Sequence, residues 1–247
     1  MSTLPFKPGF NALLALCRAS NLPTVWMNVV SAAVLSGATA SGHGPAAPLV
    51  LLLAVALSCF YCGGMALNDV CDLDYDSVHQ RYRPIPAGRI TLARARTVTF
   101  ALFAGALGCL LGAPHHAGFV AGVVLLLVIW AYDYFHKRHP STVLAMAGAR
   151  LMVYVVTAFA LTGMVSNAVW CVAVLQAAYV LTLTVVARLE GRTASGRYSW
   201  PVIPWMLAAM PVLDGIVLAV LVDPVWLLAG FACAALTRAG QRYVRGD

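Results

Sequence analysis

Long apolar runs broken by short polar stretches recur along almost the whole chain. A helix needs about twenty largely apolar residues to cross a bilayer, and eight stretches approach that length. The first covers 12–38. Arg18, Asn21 and Pro23 interrupt it early, so a short interfacial piece leads into a span proper near 22–38. The others run at 48–67, 91–112, 117–134, 142–163, 167–188, 199–221 and 224–241. The pattern predicts an all-α, polytopic membrane helical bundle of about eight transmembrane helices, in a single domain over 1–247. The long connections 68–90 and 189–198 follow the second and sixth spans, so the lengths suggest two four-helix halves, 1–140 and 141–247.

Composition agrees with a membrane chain. Of 247 residues, 61% are hydrophobic and 10% charged, against about 25% charged in a soluble domain. The net charge of +7 does not point to nucleic acid, because the basic residues lie between apolar runs rather than on one polar face. They read as orientation signals. Of the 16 Lys and Arg, 15 fall on one side of an eight-span chain, in its connections or near the ends of its spans on that side, and only Arg150, inside the fifth span, is left over. Basic residues accumulate on the cytoplasmic side, so both termini and the long connections are expected there. The seven cysteines sit mostly in apolar runs. Cys59 and Cys62 form a lone pair inside a span without a nearby histidine, so they read as small core residues. The first ten residues show no secretory signal pattern, and the first long run reads as a retained span.

One stretch departs from this apolar background. Four of the nine acidic residues fall between positions 68 and 76, in Asn68-Asp69-Val70-Cys71-Asp72-Leu73-Asp74-Tyr75-Asp76. Asp69, Asp72 and Asp76 are spaced i, i+3, i+7, which puts them within about 60° on one helical face, with Asp74 pointing roughly the other way. Three like charges on one face repel unless a cation neutralises them. Magnesium takes oxygen ligands and is often shared with substrate phosphates, and Arg81, Arg83 and Arg89 follow at once with forked donors for the same anion. Acids, metal and arginines together describe a diphosphate site. The plain alternative is a solvated polar loop.

Asn68-Asp69-x-x-Asp72-x-x-x-Asp76, followed by Arg83-Pro84-x-Pro86-x-Gly88-Arg89, resembles the first aspartate-rich motif of the UbiA-type intramembrane prenyltransferases. That resemblance implies a helical bundle around a central cavity. In it, magnesium held by two acidic motifs grips an isoprenoid diphosphate, and an acceptor takes the prenyl group. Carried over, Asp69, Asp72 and Asp76 are metal ligands and the catalytic core, Asn68 supports them, and Arg81, Arg83 and Arg89 are diphosphate contacts or loop anchors. Tyr132-Asp133-Tyr134-Phe135-His136-Lys137-Arg138 resembles a Tyr-rich, basic-ended segment after the fourth span, with Lys137 a further diphosphate contact. Together with Gly148-Ala149-Arg150, it looks more like the EboC-like branch than the quinone-pathway enzymes.

The second acidic motif is degenerate. After the sixth span the chain reads Ala187-Arg188-Leu189-Glu190-Gly191-Arg192, and Glu190 is the one acid available as a metal ligand there. Arg188, Arg192 and Arg197 are candidates to replace part of the metal's charge. Arg150, about 12 Å into a span at 1.5 Å per residue, is expected to face the cavity, because a charge at that depth needs a partner. Arg18 and Asn21 at the opening of the first span, and Asp214 deep in the seventh, are further substrate-binding candidates. Asn28 and Gln176 read as interhelical hydrogen-bonding residues, and Gly108-x-x-x-Gly112 as a close-packing site. The leading reading is a magnesium-dependent transferase moving a prenyl group from its diphosphate to an unidentified acceptor. The rivals are phosphoribosyl transfer to a lipid phosphate on the same scaffold and a non-catalytic isoprenoid-lipid-binding protein.

Overall fold

The computed structural model describes residues 8–37, 47–135, 143–191 and 198–246. It is built from helices: α1 (Pro8–Leu16), a 3-10 turn (Ala19–Asn21), α2 (Leu22–Leu35), α3 (Ala47–Cys71), α4 (Leu73–His79), α5 (Leu92–Leu111), α6 (His116–Phe135), α7 (Val143–Thr162), α8 (Asn167–Glu190), α9 (Val202–Leu221) and α10 (Trp226–Gly240). Six of them, α3 and α5 to α9, are long and apolar enough to cross a membrane. The first and last predicted spans are realised as shorter helices, α2 with 14 residues and α10 with 15. The interruption at Arg18–Pro23 appears where the sequence put it, as the joint between α1, the 3-10 turn and α2.

Local chemistry sets the boundaries. Pro23 stands in the first turn of α2, where its missing N–H costs nothing. Thr91 and Ser166 cap α5 and α8 by accepting from the backbone N–H of Arg94 and Val169. The Ser166 hydroxyl also donates to the Leu35 carbonyl at 2.8 Å, tying the end of α2 to the start of α8. Gly163, at φ +73°, ends α7 in the left-handed conformation that glycine adopts without strain.

α2 occupies the middle of the bundle. It packs against α3, α7, α9 and α10, and ten of its 14 residues are buried. The main core gathers Val25, Met27, Leu57, Phe60, Leu110 and Tyr154 around it. Large side chains such as Phe100, Leu127 and Val220 point outward, as lipid-facing positions should in a membrane bundle.

Polar side chains lock this arrangement at one point. The Asp214 carboxylate of α9 is fully buried. It accepts from Asn28 of α2, from the Tyr154 hydroxyl of α7 at 2.6 Å and from Gln176 of α8 at 3.1 Å. Asn28 also donates to the Tyr154 oxygen. Beside this knot Pro211 lies inside the continuous α9, and Gln176 and Tyr179 of α8 donate to the carbonyls of Met210 and Met206. Asn28 and Gln176 thus act as the interhelical bonds expected of them.

The close-packing glycines differ from the expected pair. A Cβ at Gly108 would meet nothing, whereas one at Gly118 of α6 would lie 2.5 Å from the Ala160 backbone of α7. Spacing alone does not say which face a glycine presents, and Gly108 faces open space.

Two measurements on detergent-solubilised protein check this account. Gly118→Val should cost about 1–3 kcal/mol through overpacking and lower the thermal midpoint, while Gly108→Ala, in open space within α5, should leave stability unchanged or raise it by up to about 1 kcal/mol. Tyr154→Phe takes one donor from a buried carboxylate and should cost about 1–3 kcal/mol, seen as a lower midpoint at an unchanged far-ultraviolet helix signal.

Candidate active site

α3 continues through Asn68 and Asp69 to Cys71, and the chain breaks at Asp72 before α4 begins. The acidic motif therefore spans a helix junction rather than one uninterrupted helix. The backbone ladder nevertheless carries through: the N–H of Asp72 bonds to the Asn68 carbonyl, and that of Asp76 to the Asp72 carbonyl, each at 2.9 Å. The i, i+3, i+7 relation survives the break. Asp69, Asp72 and Asp76 are 3%, 7% and 1% exposed, while Asp74 faces outward.

Arg83 reaches back from the connection after α4. Its Nη1 lies 2.9 Å from Asp69 Oδ1 and 3.0 Å from Asp76 Oδ2, and its Nε donates to Gln80 Oε1 at 2.8 Å. Arg18 approaches the same Asp69 oxygen at 3.5 Å and donates to the Met65 sulfur. Arg18 holds a left-handed backbone, φ 44°, a conformation that is strained for a residue with a Cβ and that tends to collect at functional sites. Asn68 donates to Asp133 Oδ1 at 3.2 Å, bringing a fourth buried carboxylate, from α6, to the same end of the bundle. Asp133 stands in the Tyr132-Asp133 segment. The sequence reading gave it no role, although its rarity among nine acids in an apolar chain was the available signal.

Behind these charges lies a cavity of about 170 Å³. Arg18, Asn21, Tyr132, Asp133 and Arg150 form its polar wall, and Leu57, Phe60, Leu125, Ile129 and Val153 its apolar one. Thr24 and Tyr61 also line it, as do Met65, Met146 and Met210. The segment before the C-terminus lies across the mouth. Gly246 lines the cavity, its carbonyl accepts from Asn21 Nδ2 at 2.8 Å, and Arg245 stacks 4.6 Å over the Tyr82 ring. A separate apolar hollow of about 890 Å³ lies between α2 and α3, with Leu102 and Trp226 at its sides, and shares no lining residue with this cavity.

The expected site residues divide. Asp69, Asp72, Asp76, Asn68, Arg83, Arg18, Asn21 and Arg150 meet at the cavity or its mouth. Arg81 and Arg89 are exposed and donate to the carbonyls of Ser77 and Tyr82, so they anchor the loop that carries Arg83. Glu190 does not line the cavity; its carboxylate accepts from the Tyr198 backbone N–H at 3.0 Å and ties the end of α8 to the approach to α9. Arg188, two residues earlier, comes close enough to Tyr132 to act on it electrostatically, as does Asp72. Asp214 belongs to the buried knot and not to the cavity wall. Lys137, Arg192 and Arg197 lie outside the described residues.

The oxygen donors suit magnesium, which commonly takes one or two protein carboxylates and completes its shell with water and phosphate oxygens. Among the described residues no three acids, histidines or cysteines are drawn together as a finished cage. The Arg83 guanidinium stands between Asp69 and Asp76 instead. The acids are thus assembled and buried, with a cation already bridging two of them.

Comparison with known proteins agrees with the motif. The family model of the UbiA prenyltransferase family matches residues 29–245. Digeranylgeranylglyceryl phosphate synthase of Sulfurisphaera tokodaii is 32% identical over 113 residues, 44% of this chain and 39% of that protein. The enzyme of the same name from Methanoculleus marisnigri is 44% identical over 78 residues, 30% of this chain and 28% of that protein. The matched stretches thus span well under half of those relatives' lengths. A solved structure of a digeranylgeranylglyceryl phosphate synthase has a TM-score of 0.64 at 16% identity, covering 96% of this chain and 94% of that one. A UbiA homologue from Archaeoglobus fulgidus, bound to DMAPP and Mg2+, has a TM-score of 0.60 at 17% identity, covering 91% and 86%. With the family model matching most of the chain, the acidic motif after its second predicted span and the helical bundle around it, this protein belongs to the UbiA prenyltransferase family.

Proposed function

We propose that this protein is a magnesium-dependent intramembrane prenyltransferase that moves a prenyl group from an isoprenoid diphosphate to an acceptor held in the same cavity. One observation carries the reading: Asp69 and Asp76 meet Arg18 and Arg83, with Asp72 buried beside them, at the mouth of a cavity that has one apolar wall. Asp69, Asp72 and Asp76 are the residues that would hold magnesium, whose charge stabilises a diphosphate as it leaves. Arg83 and Arg18 offer forked donors to the same oxygens, and Arg83 exchanges its carboxylate partners for phosphate when the donor enters. Asn68 orients Asp133 beside them.

The apolar wall of Leu57, Phe60, Leu125 and Ile129 keeps water from the electron-poor carbon that the departing diphosphate leaves behind. The cavity of about 170 Å³ is smaller than the roughly 300–1,000 Å³ of typical ligand pockets, so the prenyl chain has to displace side chains. Met65, Met146 and Met210 line the cavity and are the adaptable ones. The basic residues gathered at the motif end support a cytoplasmic orientation for it and for both termini, on the side from which a soluble diphosphate arrives.

Donor screening tests the reading. Purified protein with magnesium is offered geranyl, farnesyl and geranylgeranyl diphosphates and phosphoribosyl diphosphate, with membrane extract as acceptor. Magnesium-dependent diphosphate release from a prenyl donor is expected, falling by about 100-fold or more in Asp72→Ala. Release from phosphoribosyl diphosphate alone would replace the prenyl reading. Tight prenyl-diphosphate binding without turnover would mark a binding protein, and intact turnover in Asp69→Ala and Asp72→Ala would overturn the metal assignment. A separate titration with Mn2+, read by electron paramagnetic resonance, distinguishes the outlying acids. Asp133→Asn should weaken metal binding in the presence of donor by about tenfold, and Glu190→Gln should leave it within about twofold.

A further inference from the structure

Arg150 is the charge in this cavity that the diphosphate site does not use. It sits on α7 seven residues beyond Val143, about 10 Å along the helix at 1.5 Å per residue. Its guanidinium lines the cavity, and both of its partners are neutral: the Thr24 hydroxyl of α2 and the Met210 sulfur of α9. The Thr24 hydroxyl donates onward to the Asn21 carbonyl, so its oxygen is turned to accept from Arg150. The Arg150 Nε makes no hydrogen bond. Among the described residues the ion pairs are those of Arg18 and Arg83, and no carboxylate lies within pairing distance of Arg150. The buried acid of α9, Asp214, is committed to Asn28, Tyr154 and Gln176. Tyr154 lies one turn along α7 from Arg150, so Asp214 offsets the arginine's charge at a distance without occupying its donors. The cation is held in place by Thr24 and left open towards the cavity.

An arginine this deep in a membrane protein is costly unless an anion meets it. The diphosphate has its own cations at the mouth, Arg18 and Arg83. We infer that Arg150 is a second, deeper anion site, which reads a phosphate or carboxylate on the acceptor and so fixes which acceptors are prenylated. This assignment rests on the prenyl-transfer reading, because it needs a donor bound at the aspartates. The apolar and aromatic wall around Arg150, with Phe60, Tyr61 and Val153, suits the body of an amphiphile whose only charge is the group that Arg150 binds.

The test uses full-length protein in nanodiscs with magnesium and the unreactive donor geranylgeranyl thiodiphosphate, whose affinity is measured first. Donor affinity that is absent even in the natural protein sinks the prenyl-transfer reading itself. With donor bound, geranylgeranylglyceryl phosphate is compared with geranylgeranylglycerol, and benzoate with benzamide. These arms separate a phosphate from a carboxylate as the preferred anion. In at least one pair the charged probe should bind about tenfold or more tightly than the neutral one. Arg150→Met should erase that preference, Arg150→Lys should keep part of it, and donor affinity should stay within about twofold in both. Equal binding of charged and neutral probes, or a loss confined to donor affinity in Arg150→Met, would overturn the inference. Stability provides an independent readout. Removing an unneutralised charge should leave the thermal midpoint of Arg150→Met unchanged or raised, whereas a fall of more than about 5 °C would mark Arg150 as a structural residue and refute the assignment.

Discussion

Four helices meet at the carboxylate of Asp214. In a bundle whose exterior faces hydrocarbon, polar groups have no solvent to turn to, and each must find its partner inside. Asp214 finds three, on α2, α7 and α8, and thereby sets the positions of those helices against α9. The consequence is specific. α2 is too short to owe its place to length, yet it runs through the middle of the bundle. Its Thr24 and Asn21, one and two turns before Asn28, are therefore delivered to the cavity wall. The same tie holds α7, so that Arg150, one turn from Tyr154, enters the cavity between Thr24 and Met210.

The charged mouth obeys the same rule with the opposite sign. Asp69, Asp72, Asp76 and Asp133 are buried together, and Arg18 and Arg83 come from outside the motif's own helix to meet them. Removing one member of such a buried group leaves the others uncompensated, which is why these pairs are better regarded as conditions of the site than as contributors to stability. An arginine that bridges two carboxylates is also an arginine that a diphosphate can take over. The loop carrying Arg83 is held from behind by Arg81 and Arg89, so the guanidinium can change partners while its backbone stays in place.

The two ends of the cavity thus differ in electrostatic character. At the mouth, Arg18 and Arg83 each pair with a carboxylate. Deeper in, Arg150 does not among the described residues. The fold keeps the deeper cation by anchoring it to neutral atoms, Thr24 and Met210, while the Asp214 carboxylate is taken up by Asn28, Tyr154 and Gln176. A ligand pair with a diphosphate at one end and a single anion at the other matches this distribution, with the transferred group bridging the apolar stretch between them.

Much of this was legible in the amino-acid sequence. The positions of the helices followed from runs of apolar residues, because hydrocarbon thickness and the rise of a helix leave little freedom. The first acidic motif stood out because charge is so rare in this chain, and the family resemblance rested on the same residues. Local spacing even survived the break at Asp72, since the backbone ladder continues across it. The tertiary structure alone decided which charges meet. It brought Asp133 to Asn68, bonded Glu190 to the Tyr198 backbone, assigned Arg81 and Arg89 to the loop and Arg83 to the acids, and closed Asp214 into a knot, leaving Arg150 with no carboxylate within pairing distance among the described residues. Sequence spacing determines the face of one helix that a residue occupies. Which helix that face opposes depends on packing among segments as much as 186 residues apart, and the chemistry of the site resides in those oppositions.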